Sequence, residues 1–393
     1  MFTRPVVVAV LLLFAVSGPF TPPLHAQSIG SQLSTLLTEQ RDMSGFVPDI
    51  EAANQTFATV AGLFGVELAT LPVSASSGGF VYRLNRDLGL VERASDGFGP
   101  FFTERVLRNS RGQISVGVSH QFARFSSLQG ADLREGTFPT NAARLAGSGQ
   151  PFSVDTLDLE LVSRTTTSFA SYGFTDRLGI GVAVPISTVR FSGQRNRTLN
   201  GVTALQSSRA GSATGLGDIT ANARYMLTES GIRGASVGVD IRFPTGSAAD
   251  LLGAGRMTSR FLGIGTWEEG HLAVNVNGGF GLGGLSREVF WGAATTLAPS
   301  PRVTVVGEVM GRWLAELSRV SDVYQPHPLM PGVETMRWLS LDPGVHTTFL
   351  VTGAKWNVGG TWLLNTSLLI RVTDAGLRGR VTPAISLDYS FDR

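Results

Sequence analysis

From Ile114 almost to the C-terminus, apolar residues alternate with small or polar ones at a period of two, in rows of ten or more residues. Ile114, Val116, Val118, His120 and Phe122 stand against Ser115, Gly117, Ser119, Gln121 and Ala123. Leu178, Ile180, Val182, Val184 and Ile186 stand against Gly179, Gly181, Ala183, Pro185 and Ser187. Similar rows run through Leu157–Leu159–Leu161, Tyr225, Val237–Phe243, Leu272–Val276, Val289–Leu297, Val303–Leu314 and Trp362–Ile370, ending on Ile385, Leu387, Tyr389 and Phe391. A period of two marks strands with two unlike faces. Water-soluble sandwiches also have such strands, but theirs run about five or six residues and close within about 100. A tilted strand needs roughly 9–11 residues to cross the hydrocarbon of a membrane, and lipid tolerates no open sheet edge. The rows therefore predict an all-β chain, a transmembrane antiparallel up-and-down β-barrel.

The charges follow the same parity. Asp158, Glu160, Arg164, Asp218, Arg224, Asp240, Arg242, Glu308, Arg312, Arg371 and Asp388 lie opposite the apolar rows, which assigns them to the lumen. Arg124 and Arg190 are exceptions at strand ends. The set holds acids and bases in near balance, whereas strong ion selectivity needs rings of one sign. Asp158 and Glu160 share a face about 7 Å apart by strand rise. Neutralisation by Arg164, Arg224 or Arg242 across the lumen explains that pair more simply than acid–base chemistry.

Short turns at 109–112, 175–177, 228–234, 267–270, 298–302 and 357–360 alternate with long polar connections at 129–153, 192–214, 244–257, 281–287, 315–343 and 373–379. That is the asymmetry of periplasmic turns and extracellular loops. Counting back from the end gives about 12 strands beginning near Ile114, with Met336–Arg337–Trp338 as the upper end of one of them. Fourteen follow if the hairpin pattern at 79–94 and the stretch 98–108 are added.

The first 26 residues read as a signal peptide: Arg4, an apolar run from Val6 to Val16 stopped by Ser17–Gly18–Pro19, then a site ending at Ala26. Residues 27–112 follow as an N-terminal helical and hairpin segment, and 113–393 as the barrel. Ile50, Ala53, Phe57, Val60 and Phe64 recur at helical spacing behind Asp49 as N-cap, and Leu33, Leu36 and Leu37 suggest a shorter helix before it. This segment is a candidate plug or periplasmic extension, and packing under the barrel is an equal alternative.

Composition removes other classes. With no cysteine there is no disulfide scaffold, thiolate metal site or cysteine nucleophile. A net charge of +2 with one lysine, Lys355, gives no basic patch for nucleic acid. His120, His271, His327 and His346 show no metal-ligand spacing, and Gly279–Gly284 lacks the Lys-Ser/Thr end of a phosphate loop. No cofactor-binding or Gly-x-Ser-x-Gly motif is present.

Tyr172–Gly173–Phe174–Thr175–Asp176–Arg177–Leu178–Gly179–Ile180–Gly181–Val182 joins two strands by a tight turn, Gly215–Leu216–Gly217–Asp218–Ile219 opens the next hairpin, and Arg242–Phe243–Pro244–Thr245–Gly246 closes it. Over roughly 160–391 this resembles the outer-membrane family named for the MetA pathway of phenol degradation. The resemblance implies a cell outer-membrane location and passive passage of small hydrophobic or aromatic solutes. It brings no catalytic or binding residues. The partners it implies are outer-membrane lipids, the outer-membrane assembly machinery and a small-molecule solute. Two other readings stand beside it, a non-transporting structural or receptor barrel and a barrel-embedded hydrolase. Phe169, Trp291, Trp313, Trp356, Trp362, Tyr389 and Phe391 are expected at the membrane interfaces, most on the lipid-facing parity.

Overall fold

The computed structural model describes residues 27–393 except 42, 44–45, 73–81, 86–89, 94–96, 107–110, 231 and 392–393. The expected signal segment 1–26, part of the first hairpin run and part of the 109–112 turn lie outside the described residues.

Twelve antiparallel strands close into a barrel. They are β1 (Ile114–Phe125), β2 (Pro151–Gly173), β3 (Leu178–Leu199), β4 (Thr220–Ser230), β5 (Arg233–Arg242) and β6 (Thr258–Glu269). The others are β7 (Leu272–Gly283), β8 (Glu288–Ser300), β9 (Val303–Pro326), β10 (Val333–Gly359), β11 (Trp362–Arg371) and β12 (Val381–Phe391). Each pairs with its neighbour in sequence, and β12 pairs with β1 from Phe391↔Ile114 to Ala384↔Gln121. The expected up-and-down order from Ile114 is what forms. The alternative of fourteen strands does not: Tyr82–Asn85 and Leu90–Arg93 make a separate two-stranded hairpin, and 98–106 is not a strand.

The wall is uneven in height. β4 to β8 run 10–13 residues, enough to cross the hydrocarbon, whereas β2 and β3 run 23 and 22 and β9 and β10 run 24 and 27. The stretches expected as long polar connections at 129–153, 192–214 and 315–343 are instead largely strand. Val202–Leu216 and Phe138–Leu145 join them as additional strands above the barrel. β3 changes partner on the way up: Leu178–Ala183 pairs β4, and Ile186–Leu199 pairs Val202–Leu216. Pro185 sits at the switch, where its carbonyl accepts from Gly217 N–H at 2.8 Å. The N–H that proline lacks would point to that same interrupted side, so no ladder bond is lost.

Outward-facing residues of the short strands and of the lower parts of the tall ones form a continuous apolar band that includes Val182, Tyr225, Val237, Phe261, Val276, Phe280, Val305, Leu350, Leu368 and Ile385, all exposed. A band of this extent far exceeds the apolar patches that soluble monomers leave in water, so lipid covers it. Trp291, Trp313, Trp356 and Trp362 stand outward at its edges, and Trp362, Tyr389 and Phe391 stack at 4.7 and 5.7 Å between centroids. Phe169 departs from this girdle: its ring lies over Gly117 on the lumen side, beside Asp388. The geometry is that of an outer-membrane barrel.

Two helices precede the barrel, α1 (Ile29–Thr38) and α2 (Ile50–Ala69). Asp49 is the N-cap of α2, its carboxylate accepting from Ala52 N–H at 3.0 Å. Ala53, Val60 and Phe64 are buried as expected, but Ile50 is 62% exposed. The principal apolar core joins α1 and α2 to the inner face of the tall strands, through Leu33, Leu36 and Phe64 against Leu157, Leu159, Phe191 and Trp338.

Val276, midway along β7 and outward, is a test of the lipid face. Val276→Arg is expected to destabilise the refolded barrel by about 2–4 kcal/mol, the cost of a basic residue near the midplane. Urea titration of heat-modifiable migration in detergent-free vesicles measures it.

Candidate functional site

The lumen is crossed by the chain's own N-terminal segment at two levels. Near the short-turn end, residues 97–106 run from the β8–β10 side to the β4–β6 side. Phe98 N–H donates to Thr304 Oγ1 at 3.0 Å, and Lys355 Nζ donates to the Pro100 carbonyl at 2.8 Å. Glu308 then gathers three successive backbone donors, from Phe101, from Phe102 at 3.1 Å and from Thr103 at 2.8 Å. On the far wall Arg224 pairs with Glu104 at 2.5 Å and Asp240 at 2.6 Å, and Val106 N–H donates to Thr266 Oγ1 at 2.8 Å. Glu308 is almost fully buried, so its charge is tolerable only with this many donors. Apolar contacts flank the polar ones: Phe101 packs on Val306, Phe349 and Val351, and Val106 packs on Leu262 and Ile264.

Higher up, α2 descends from the long-loop end and finishes inside the barrel. Glu67 pairs with Arg371 at 2.7 Å and with Arg312 at 3.5 Å, all three under a tenth exposed. The last carbonyls of a helix lack internal partners and carry its negative dipole end. α2 has no basic residue in its last turn. The barrel supplies them: Arg242 donates to the Ala69 carbonyl at 2.6 Å and Arg312 to the Thr70 carbonyl at 2.8 Å. α1 is held alike, with Arg195 donating to the Leu36 carbonyl at 2.9 Å. Arg195 and Arg197 clamp the buried Asp155, the latter at 2.6 and 2.8 Å.

Between the two crossings lies a cavity of about 260 Å³. Leu68 and Leu71 line it on the α2 side, Phe102 on the other, and Leu252, Leu262 and Phe290 from the wall, with Arg242, Arg260 and Arg312 among them. An apolar cavity of about 150 Å³ suffices for benzene, so a substituted single ring fits this one.

The charges assigned to the lumen by parity divide into three groups. Arg224, Asp240, Glu308, Arg312 and Arg371 hold the N-terminal segment as described. Asp388 accepts from Asn365 at 2.8 Å, Arg242 caps α2, and Asp218 accepts from Gly246 and Ala254 N–H at 3.0 and 2.7 Å, fixing the 243–257 loop. Asp158, Glu160 and Arg164 are a correction: they point outward. Glu160 pairs with Arg124 on the exterior, Asp158 is exposed, and Arg164 lies over the Phe122 ring at 5.6 Å. The residues inward in their place are Leu157, Leu159 and Leu161, none more than 1% exposed. This part of β2 stands above the membrane around an apolar core, so the polarity rule is that of a soluble protein, greasy inside and charged outside. The cross-lumen pairing expected of Asp158 and Glu160 is correspondingly absent.

Sequence reasoning missed Glu67, Glu104, Asp155, Arg195, Arg197 and Lys355. Lys355 was findable, since it shares the inward parity of Val351 and Gly353. Glu67 and Glu104 lie outside the alternating rows, where parity gives no guide.

No family model matches the chain, and no curated protein matches it. Among solved structures, it is similar to the COG4313 outer membrane channel from Pseudomonas putida F1, at 17% identity and a TM-score of 0.46 over 72% of this chain and 97% of that one. It is similar to the P. putida toluene transporter TodX at 9% identity and a TM-score of 0.34, over 72% and 91%. The outer membrane protease OmpT from Escherichia coli is matched at 8% identity and a TM-score of 0.26, over 71% and 97%.

Two predictions test how the segment is held. Glu67→Ala leaves Arg312 and Arg371 without their carboxylate in a dry site, a loss of about 3–5 kcal/mol. Faster protease cleavage within 27–72 is expected, with barrel migration unchanged. Asp49, above the membrane, is expected to act as a pH latch. Burial pushes its carboxyl up, but the Thr335 hydroxyl, the Ala52 N–H and Arg337 outweigh that and hold it below its ordinary 3.8. A lowered folded value means the stabilisation is complete above the ordinary value and disappears as pH falls through the folded one. Amide exchange in α2 is expected to accelerate on acidification below about pH 4, and Asp49→Asn to remove that dependence.

Proposed function

We propose that this chain is an outer-membrane channel or transporter for passive passage of small hydrophobic or aromatic solutes, and that residues 27–112 act as its plug. The observation that carries this reading is the cavity between α2 and residues 97–106, inside the barrel and large enough for one substituted ring. The residues that hold the segment are on the barrel's inner wall, so the resting lumen is occupied and passage requires the segment to shift. The resemblance of 160–391 to the MetA-pathway family points the same way.

The mechanism needs no coupled energy source. A solute entering from the long-loop end partitions from water onto Leu68, Leu71, Leu252 and Leu262 and leaves down its gradient toward the periplasm. On this reading the chain is not an enzyme. The carboxylates expected to pair on one face, Asp158 and Glu160, lie outside the lumen, and Glu308, Asp240 and Glu67 are each engaged by the N-terminal segment or an arginine. The assembly machinery is its further partner, meeting the intact terminal row Leu387–Tyr389–Phe391.

Single-channel recording of the mature chain in a planar bilayer, with and without residues 27–112, tests the reading together with liposome uptake of toluene. Low conductance that rises several-fold on deletion, with toluene uptake above protein-free vesicles, is expected. Silence from both folded forms and no uptake would replace the channel by the structural or receptor role.

A further inference from the structure

One arginine of the cavity wall is paired differently from the others, and this bears on which ring compounds the cavity takes. Arg224 contacts Glu104 and Asp240, Arg260 contacts Glu288 at 2.8 Å, and Arg312 and Arg371 share Glu67. Arg242 differs. Among the described residues it donates to the Ala69 carbonyl, at 2.6 Å, and no carboxylate lies within ion-pair distance of it. Asp218, the other acid nearby, is turned to the backbone of the 243–257 loop, where Gly246 and Ala254 donate to it. Arg242, Arg260 and Arg312 line the α2 end of the cavity together with Asp218 and Glu288; Arg260 is in contact with Glu288 and Arg312 with Glu67, so Arg242 is the guanidinium of the three with no carboxylate in contact among the described residues. A guanidinium offers five N–H donors in a planar fork that matches a carboxylate two-pronged. Leu252, Leu262, Leu68 and Phe290 line the same cavity.

From this juxtaposition of a carboxylate-free guanidinium and an apolar wall in one ring-sized cavity, we infer that Arg242 is a specificity residue selecting aromatic carboxylates over neutral aromatics. The inference rests on the channel reading and narrows its solute class. The ring packs on the leucines and Phe290 while the carboxylate bridges to the Arg242 fork. The existing bond to the Ala69 carbonyl holds the guanidinium in place and leaves its other donors to the solute.

Benzoate and benzyl alcohol, which share the ring and differ in charge, are the probes. Binding to the full mature chain in nanodiscs is followed by calorimetry, and uptake by vesicles in parallel. The intact chain is expected to bind benzoate more tightly than benzyl alcohol. Arg242→Gln, which keeps a donor for Ala69, is expected to weaken benzoate roughly 10- to 100-fold, the span of a charge-assisted hydrogen bond. Benzyl alcohol is expected to change less than about twofold, and Arg242→Lys to restore part of the preference. Equal loss for both probes would reduce Arg242 to a cap on α2 and overturn the inference, as would an intact chain with no preference for benzoate. If toluene still enters vesicles in those cases, the channel reading survives without this refinement. Failure of toluene, benzoate and benzyl alcohol alike would remove both.

Discussion

Everything in this molecule depends on the pairing of its last strand with its first. The ladder from Phe391↔Ile114 to Ala384↔Gln121 removes the two edges that twelve antiparallel strands would otherwise expose to lipid. In hydrocarbon no water replaces a missing partner, so closure is obligatory. It also creates an inner surface that the chain must furnish with its own polar groups, and it does so with a segment outside the ladder. Residues 97–106 and the end of α2 bring carbonyls, N–H groups and carboxylates to Glu308, Arg224, Arg312 and Arg371, which in turn would be costly to bury alone.

Arginine is the recurring means. Arg195 receives the end of α1, Arg242 and Arg312 the end of α2, and in each case the acceptors are terminal carbonyls that no residue of the helix itself can satisfy. A barrel wall studded with guanidiniums therefore accepts helix C-termini much as a helix N-terminus accepts an anion. The preference for arginine over lysine, with Lys355 the sole exception, suits this work: the planar fork bonds two acceptors at once and remains charged when dry. Asp155 shows the same economy, serving two arginines from one carboxylate.

Much of the fold was legible because a two-residue period states where each side chain points relative to its neighbour. It fixed the strand count from Ile114, the turn at 175–177, and the lumen side of Arg224, Asp240, Glu308, Arg312 and Arg371. It could not state where along a tall strand the polarity of the two faces reverses. In β2 the usual rule of a barrel assigns Leu157, Leu159 and Leu161 to lipid, and so puts Asp158, Glu160 and Arg164 on the wrong face. The error came from treating a 23-residue strand as membrane throughout. The cavity was not legible at all. It arises from contacts such as Glu67–Arg371 and Glu104–Arg224, whose partners lie far apart in sequence and, on one side, outside any periodic row.

That same reversal in β2 records the depth of the bilayer. Inward residues are apolar through Leu161 and then turn to Ser163, Thr165 and Thr167, while the outward arginines Arg124, Arg164 and Arg190 occupy adjacent strands at nearly the same height through the pairs Arg124↔Val162, Val162↔Arg190 and Phe122↔Arg164. A strand that obeys the rules of oil below that height and of water above it works as a built-in waterline. It sets how far the protein can ride up or down in a leaflet of given thickness, since a shift of one residue pair either way drags charge into the hydrocarbon or lifts bare leucine and valine out of it.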